Sequence, residues 1–157
     1  MLDQAKKLLS EFSHNKVPMI GFCQPELISL TEQHCEICLP LNQNTKNHVN
    51  SLYFGALAVG ADITSGFLAI MQVEKTGKPI ELLFKDFNAD FKKKALADTH
   101  FICQEGDKIQ AMINQALQTQ QRVNQGIVVT AKTPSLSTDD VIASFTLTLS
   151  LKHKPKL

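Results

Sequence analysis

LYFGALAVGADITSGFLAIM, residues 52–71, is the stretch that decides the fold. Apart from the Tyr53 hydroxyl, its only polar side chains are Asp62, Thr64 and Ser65. A helix without a polar face must be enclosed either by protein or by lipid. Three glycines and a central Asp, which costs about 2.5–3.5 kcal/mol to insert into a bilayer, disfavour the membrane. We therefore predict a helix that is buried inside a folded domain.

The flanking sequence predicts strands and two amphipathic helices. Residues 3–13 and 107–121 carry apolar residues at helical spacing, which is typical of helices with one buried face. Alternation of apolar and polar residues predicts strands, most clearly over residues 141–151. The other predicted strands cover residues 27–39, 82–94, 95–104 and 122–132, the last with an interruption at Gly126.

Two loops are predicted before the buried helix. Pro18 and Pro25 bracket the first, and the second is a polar stretch over residues 40–50. Asn50 or Ser51 is expected to cap the helix, because short polar side chains accept hydrogen bonds from its free first-turn amides.

The predicted order of elements indicates an α+β fold. Strands that follow one another directly favour an antiparallel sheet, and a curved antiparallel sheet closed around one long apolar helix is the hotdog fold. The length suits a single domain over residues 1–157. We expect an N-terminal helix and lead-in at 1–26, the hotdog core at 27–151 and a basic tail at 152–157.

Composition excludes several classes of function. Sixteen Lys and Arg against fifteen Asp and Glu leave a net charge of +1, so the chain has no general attraction to nucleic acid or to an anionic membrane. Four cysteines are too few for a disulfide scaffold, and the first residues do not resemble a signal peptide, so we expect a cytoplasmic protein. No metal is expected, because Cys35 and Cys38 would point to opposite faces of a strand and no second pair completes a site.

Two short motifs carry a family resemblance. NHVNSLYFGAL at residues 47–57 leads to Ala61-Asp62, and FNADF at 87–91 precedes a run of three lysines. Over about residues 27–151 the sequence resembles the PaaI-type acyl-CoA thioesterases of the hotdog superfamily and their bacterial relatives. In that family a His-Gly-Gly turn opens the central helix. Its second glycine matches Gly55, and an acidic residue seven positions later matches Asp62.

The resemblance implies hydrolysis of acyl-CoA or a related thioester. Asp62 would act as a general base on water or as a nucleophile, which the sequence leaves open, or it would simply bond Thr64, Ser65 or backbone across a subunit interface. The amides of Phe54 and Gly55, in the first helical turn, would polarise the thioester carbonyl. Gly55 and Asp62 lie about 10 Å apart along the helix axis, so a second, antiparallel helix must complete the site. We therefore expect a homodimer, or a tetramer built from it.

The remaining candidates have two interpretations each. Asn47 and Asn50 orient the water or the thioester, or they shape the loop and cap the helix. Tyr53 lines the substrate site or packs. The run Lys92-Lys93-Lys94 binds the phosphates of coenzyme A, which enters as part of the substrate rather than as a cofactor, or it is a solvated strand end. Ser65 completes the predicted substrate-binding set. The alternative function is a non-catalytic module that binds an acyl group or acyl-CoA.

Overall fold

The computed structural model describes residues 1–155 and forms an antiparallel sheet around one long helix. The sheet has six strands in the order β1-β2-β4-β5-β6-β3. This arrangement confirms the predicted α+β hotdog fold. The elements are α1 Leu2–Glu11, a π-helical turn Phe12–Lys16, α2 Pro18–Phe22, β1 Glu26–Leu30, β2 Cys35–Leu39, α3 Phe54–Thr76, β3 Ile80–Phe91, β4 Thr99–Cys103, α4 Gly106–Thr119, β5 Val123–Lys132 and β6 Ala143–His153.

Helix α3 is the apolar helix that the sequence predicts. It is long and apolar enough to cross a membrane, but 61% of its most apolar 18-residue window is buried within the fold. The helix packs against β2, β4, β5 and β3. Gly60 allows this close approach, because a Cβ at this position would collide with the Phe101 ring of β4. The helix ends at Gly77, whose φ of +62° is a left-handed conformation that glycine adopts without strain.

The first turn of α3 differs from the prediction. The N-cap is Tyr53, not Asn50 or Ser51, and within residues 1–155 no side chain caps the helix. Backbone bonds fix this entry instead. The Leu52 amide donates to the Ala95 carbonyl and the Tyr53 amide to the Thr45 carbonyl, each at 2.8 Å. Because these bonds tie the helix start to the segment after β3, they bring the Lys run beside the first turn.

Three other predictions about local structure are wrong. Residues 27–39 form a hairpin rather than one strand, because Thr31–His34 make a turn in which the Thr31 amide donates to the His34 carbonyl at 2.8 Å. The loop predicted between Pro18 and Pro25 contains the short helix α2, which Pro18 opens at a position that needs no amide hydrogen. Strand β5 runs through Gly126 without interruption, in regular register with β6.

The sheet has two irregularities, one in β1, where the register with β2 shifts between Leu27 and Ser29, and one in β3. The register of β3 with β6 shifts between Phe84 and Phe87, which marks a β-bulge. In the described sheet β3 has one neighbour, β6, so its other edge is unpaired. The predicted basic tail begins inside the sheet, since Lys152 and His153 belong to β6. The final two positions of that tail, 156 and 157, lie outside the described residues.

Candidate functional site

A groove of about 780 Å³ opens at the N-terminus of α3. The Asn-rich loop, the first turn of α3 and the segment after β3 line it, because the Leu52 to Ala95 bond holds these three segments together. Six of the ten predicted site residues meet here: Asn47, Tyr53, Phe54, Lys92, Lys93 and Lys94. We call it the α3 groove.

The first turn of α3 carries free backbone amides. The first intrahelical bond runs from the Leu57 amide to the Tyr53 carbonyl, so the amides of Phe54, Gly55 and Ala56 have no acceptor within residues 1–155. Unpaired amides and the helix dipole favour negative charge at this position. The Tyr53 ring folds back over Gly55, where a Cβ would lie 2.9 Å from the ring. Gly55 therefore makes room for the aromatic wall of the groove.

Aromatic rings form one wall of the α3 groove. Tyr53 and Phe54 contact edge to face with ring centroids 4.8 Å apart, and Phe54 meets Phe91 of β3 at 6.3 Å. Phe54 is 63% exposed although it begins the most buried helix of the fold. An exposed set of rings beside free amides is a surface suited to binding an apolar or planar group next to an anion.

Positive charge borders the same groove. Lys93 pairs with Asp140 at 2.9 Å, whereas Lys92 and Lys94 make no ion pair with the rest of the described chain. Two further lining residues, Lys46 and His48, were missed by the sequence analysis. Their position in the Asn-rich loop could have indicated them, because the bridge between Lys46 and Leu52 brings this loop back onto the start of the helix.

Asn47 shapes the loop that leads into α3. Its side-chain oxygen accepts from the Val49 and Ser51 amides, each at 3.0 Å, and its Nδ2 donates to the Ser51 hydroxyl at 2.8 Å. Asn50 has a φ of +59°, a left-handed conformation that asparagine adopts more readily than most residues. The Asn47 side chain and the Asn50 backbone therefore shape the loop that leads into α3.

Asp62 lies on α3, outside the α3 groove. Its half-buried carboxylate has no hydrogen-bond partner in the described chain, and burial raises its pKa to about 6. The neighbouring hydroxyls do not hold it. Thr64 donates to the Gly60 carbonyl at 2.7 Å, and the fully buried Ser65 donates to the Ala61 carbonyl at 2.8 Å. The carboxylate is therefore free to act on a bound molecule.

Asp62 and Phe54 line different depressions of the surface, and Gly55 lines neither of them. Asp62 borders a shallow groove of about 320 Å³ with Ala58, Phe84, Phe87 and Leu147. Since Gly55 and Asp62 are also about 10 Å apart along the helix axis, one chain does not bring them to a common atom. Within one described chain, the α3 groove contains Phe54 of the predicted oxyanion site, and the shallow groove contains Asp62, the predicted base or nucleophile.

The surface between the two grooves is apolar and belongs largely to the unpaired edge of the sheet. Leu83, Phe87 and Phe91 of β3 are 54%, 43% and 45% exposed, and Phe54 of α3 lies beside them. An open strand edge with exposed aromatic residues is a surface that proteins usually cover.

Solved structures share this architecture over nearly the whole chain. A candidate thioesterase from Shewanella oneidensis has a TM-score of 0.80 at 14% identity, covering 94% of this chain and 97% of its own. A protein of unknown function from Chlorobaculum tepidum has a TM-score of 0.82 at 12% identity, covering 98% and 97%. A thioesterase family protein from Silicibacter pomeroyi has a TM-score of 0.70 at 18% identity, covering 96% and 98%. The chain thus has the hotdog fold of these structures.

Residues 5–141 match the family described as "Domain of unknown function (DUF4442)", and the chain belongs to it. Among curated proteins, none matches this sequence. The family description assigns no reaction.

Proposed function

We propose that the protein is a cytoplasmic acyl-CoA thioesterase. The observation that carries the proposal is Asp62, an unpartnered carboxylate of raised pKa on the central helix of a hotdog fold. A structural acid on this helix would be costly to bury without hydrogen bonds, whereas a base or nucleophile needs a lone pair that the protein leaves available. Solved proteins described as thioesterases share the fold, which supports this reaction by analogy.

The reaction needs a base or nucleophile and an oxyanion site. As a base, Asp62 takes a proton from water while the water oxygen bonds to the thioester carbon. The carbonyl oxygen becomes an anion, which the amides of Phe54 and Gly55 stabilise. The C–S bond then breaks, the thiolate of coenzyme A takes up the proton that Asp62 holds, and the carboxylic acid leaves. As a nucleophile, Asp62 would form an anhydride that water hydrolyses to the same products.

A second copy of the chain supplies the missing half of each site. The free amides and the carboxylate are too far apart on one helix. Two antiparallel helices related by a twofold axis would place the amides of one chain beside the carboxylate of the other chain. The unpaired edge of β3 and its exposed rings offer the contact surface. The active unit would be a homodimer, or a tetramer built from it, with two composite sites.

Coenzyme A would bind at the α3 groove as part of the substrate, with no separate cofactor. Lys46, Lys92 and Lys94 supply point charges for its phosphates, and the rings of Tyr53 and Phe91 supply an apolar wall. Exchange of Lys92 and Lys94 for Glu should raise KM for acyl-CoA in a salt-dependent way. Lys78→Glu, which reverses an exposed charge elsewhere, serves as the control. An unchanged KM would remove the phosphate role.

The decisive experiment compares thioester hydrolysis by the natural protein and by Asp62→Asn. A panel of acyl-CoA substrates is followed by release of the free thiol. We expect Asp62→Asn to lose at least a hundredfold in kcat, the usual contribution of a positioned base. Equal rates for the two proteins would contradict the assigned role of Asp62.

The second candidate function is binding without catalysis. It is favoured by the turn at Tyr53-Phe54, where large rings stand at the positions of the family's His and first Gly. In that case the panel would show no turnover, while titration would show acyl-CoA binding to the natural protein.

A further inference from the structure

Asp62 also lies at one end of a second, narrower groove, which is bounded by the N-terminal segment, α3 and β3. We call it the acyl groove, and its volume is about 190 Å³. The N-terminal segment contributes a wall that the hotdog core alone does not have. The residues that carry the argument are Phe12, Val17 and Ile20 of that segment, Gly66 and Ile70 of α3, and Phe84 of β3.

The chemistry of the walls restricts what the acyl groove can hold. Apart from Asp62 at its end, every residue that lines it is apolar. A charged or hydroxylated group would lose its water here without gaining a hydrogen bond. A hydrocarbon gains free energy with each methylene that it buries. The groove therefore selects an apolar occupant, with the reacting atom at the Asp62 end.

The dimensions restrict the occupant further. From Asp62 to Ile70 the lining follows α3 for eight residues, or about 12 Å. A cavity of about 190 Å³ that extends over this length suits an extended hydrocarbon chain. An extended chain advances roughly 1.2 Å per bond, so the groove holds about ten carbons.

Gly66 keeps the acyl groove open close to the carboxylate. A Cβ at this position would lie 3.5 Å from the Phe84 ring and 3.8 Å from Asp62 Oδ1. These are ordinary contact distances, so an added methyl group fits the fold without a collision. It would occupy space between Asp62 and Phe84, where the first carbons of a chain must pass.

We propose that the acyl groove binds a straight hydrocarbon chain, and that the substrates are thioesters of medium-length unbranched fatty acids. This inference rests on the proposed thioesterase function, because it names the substrate of the same site. Phe12, Val17 and Ile20 are its chain-length determinants. Dicarboxylic thioesters are excluded by the lack of hydrogen-bonding walls in the groove.

The first test is a chain-length series from acetyl-CoA to hexadecanoyl-CoA, with phenylacetyl-CoA and succinyl-CoA as alternatives. We expect kcat/KM to rise about fourfold per CH₂ from butanoyl to about decanoyl and then to level off. Equilibrium binding of the same series to Asp62→Asn should show the same rise without turnover. A flat series, or a preference for phenylacetyl-CoA or succinyl-CoA, would overturn the inference.

The second test uses two variants that narrow the acyl groove. Val17→Phe should reduce kcat/KM for decanoyl-CoA at least tenfold more than for butanoyl-CoA, whereas Gly66→Ala, which narrows the groove where the first carbons of every chain pass, should reduce it for both. Met19→Phe is the matched control, because Met19 belongs to the same short helix as Ile20, is 73% exposed and does not line the groove. Equal losses for both chain lengths in Val17→Phe would overturn the assignment of this wall.

The two proposals fail in different ways. If acyl-CoA binding rises with chain length but no thioester is hydrolysed, the acyl groove stands and the catalytic function fails. If thioesters are hydrolysed without regard to chain length, the catalytic function stands and the acyl groove fails.

Discussion

Asp62 lowers the stability of the folded chain when it is ionised, so its effect on stability depends on pH. Its carboxyl group is partly buried without a hydrogen-bond partner, so the folded protein holds the proton more tightly than the unfolded chain does. The raised pKa places its titration close to neutral pH, where a catalytic base is most effective. Activity and stability should therefore respond to the same ionisation in opposite directions.

The pH profile of hydrolysis is the first prediction. Because Asp62 must be ionised to act, kcat/KM should rise with pH through an apparent pKa of about 6 and then level off. Initial rates with decanoyl-CoA between pH 4.5 and 8 would measure this. A profile that is flat from pH 4.5 upward would assign the base to another group.

The second prediction concerns stability. The ionised Asp62 destabilises the fold above pH 6, and the penalty disappears below about pH 4, where the carboxyl is protonated in both states. Asp62→Asn should therefore increase the free energy of unfolding at pH 7.5 by about 1–3 kcal/mol and at pH 4 by much less. Urea unfolding at the two values measures the difference.

Asp139→Asn provides the control for that experiment. Asp139 is exposed, so the variant removes the same charge without removing a buried one. It should change the unfolding free energy by less than about 0.5 kcal/mol at either pH. A loss of stability in Asp62→Asn at pH 7.5 would show that the carboxylate is held by contacts that favour its charge.

At the scale of elements, α3 depends on a close fit to the sheet. Gly60 lies directly against Phe101, which in turn packs against Phe145 with ring centroids 6.2 Å apart. Gly60→Ala should therefore destabilise the fold by about 1–3 kcal/mol through overpacking. Urea unfolding measures the change, and Gly66→Ala is the matched control because it gains the same helix propensity without a collision. Equal stability of the two variants would contradict this contact.

The elements that composition defines were predictable, and the short-range geometry was not. An apolar run without a polar face identified α3, and clean alternation identified β6. The hairpin in residues 27–39 was missed because the turn residues Thr31–His34 fit the loose alternation of its strands. The cap was misplaced because backbone bonds from Leu52 and Tyr53, which depend on the tertiary fold, set the first turn.

The candidate site shows the same division. Lys92–Lys94 and the Asn-rich loop could be selected by residue type, but only the folded chain brings them into one groove. Asp62 could be selected as a buried acid. The apolar walls around it come from three distant segments, represented by Phe12, Ile70 and Phe84, and no local pattern links them.

At the scale of the whole molecule, a composite site predicts complementation. Asp62→Asn lacks the acid, and Phe54→Pro lacks one oxyanion amide at a first-turn position that tolerates proline. Each should be inactive alone. After unfolding together and refolding, half of the dimers are mixed and each has one intact site, so about a quarter of the natural activity should return.

Phe54→Leu is the control for complementation, because it keeps the amide and removes only the ring. Its activity should exceed that of Phe54→Pro at least tenfold. If the mixed preparation of the two inactive variants stays inactive while light scattering shows dimers, both halves of each site must come from one chain.

The unpaired edge of β3 also makes newly synthesised chains vulnerable. Until it is covered, it presents open backbone groups and the rings of Phe87 and Phe91, a template on which foreign strands can add. Lys85, Asp86 and Asp90 are exposed along the same strand and act as gatekeepers against such growth. Aggregation in the cell would thus be governed by how quickly this edge is covered by its proper partner surface.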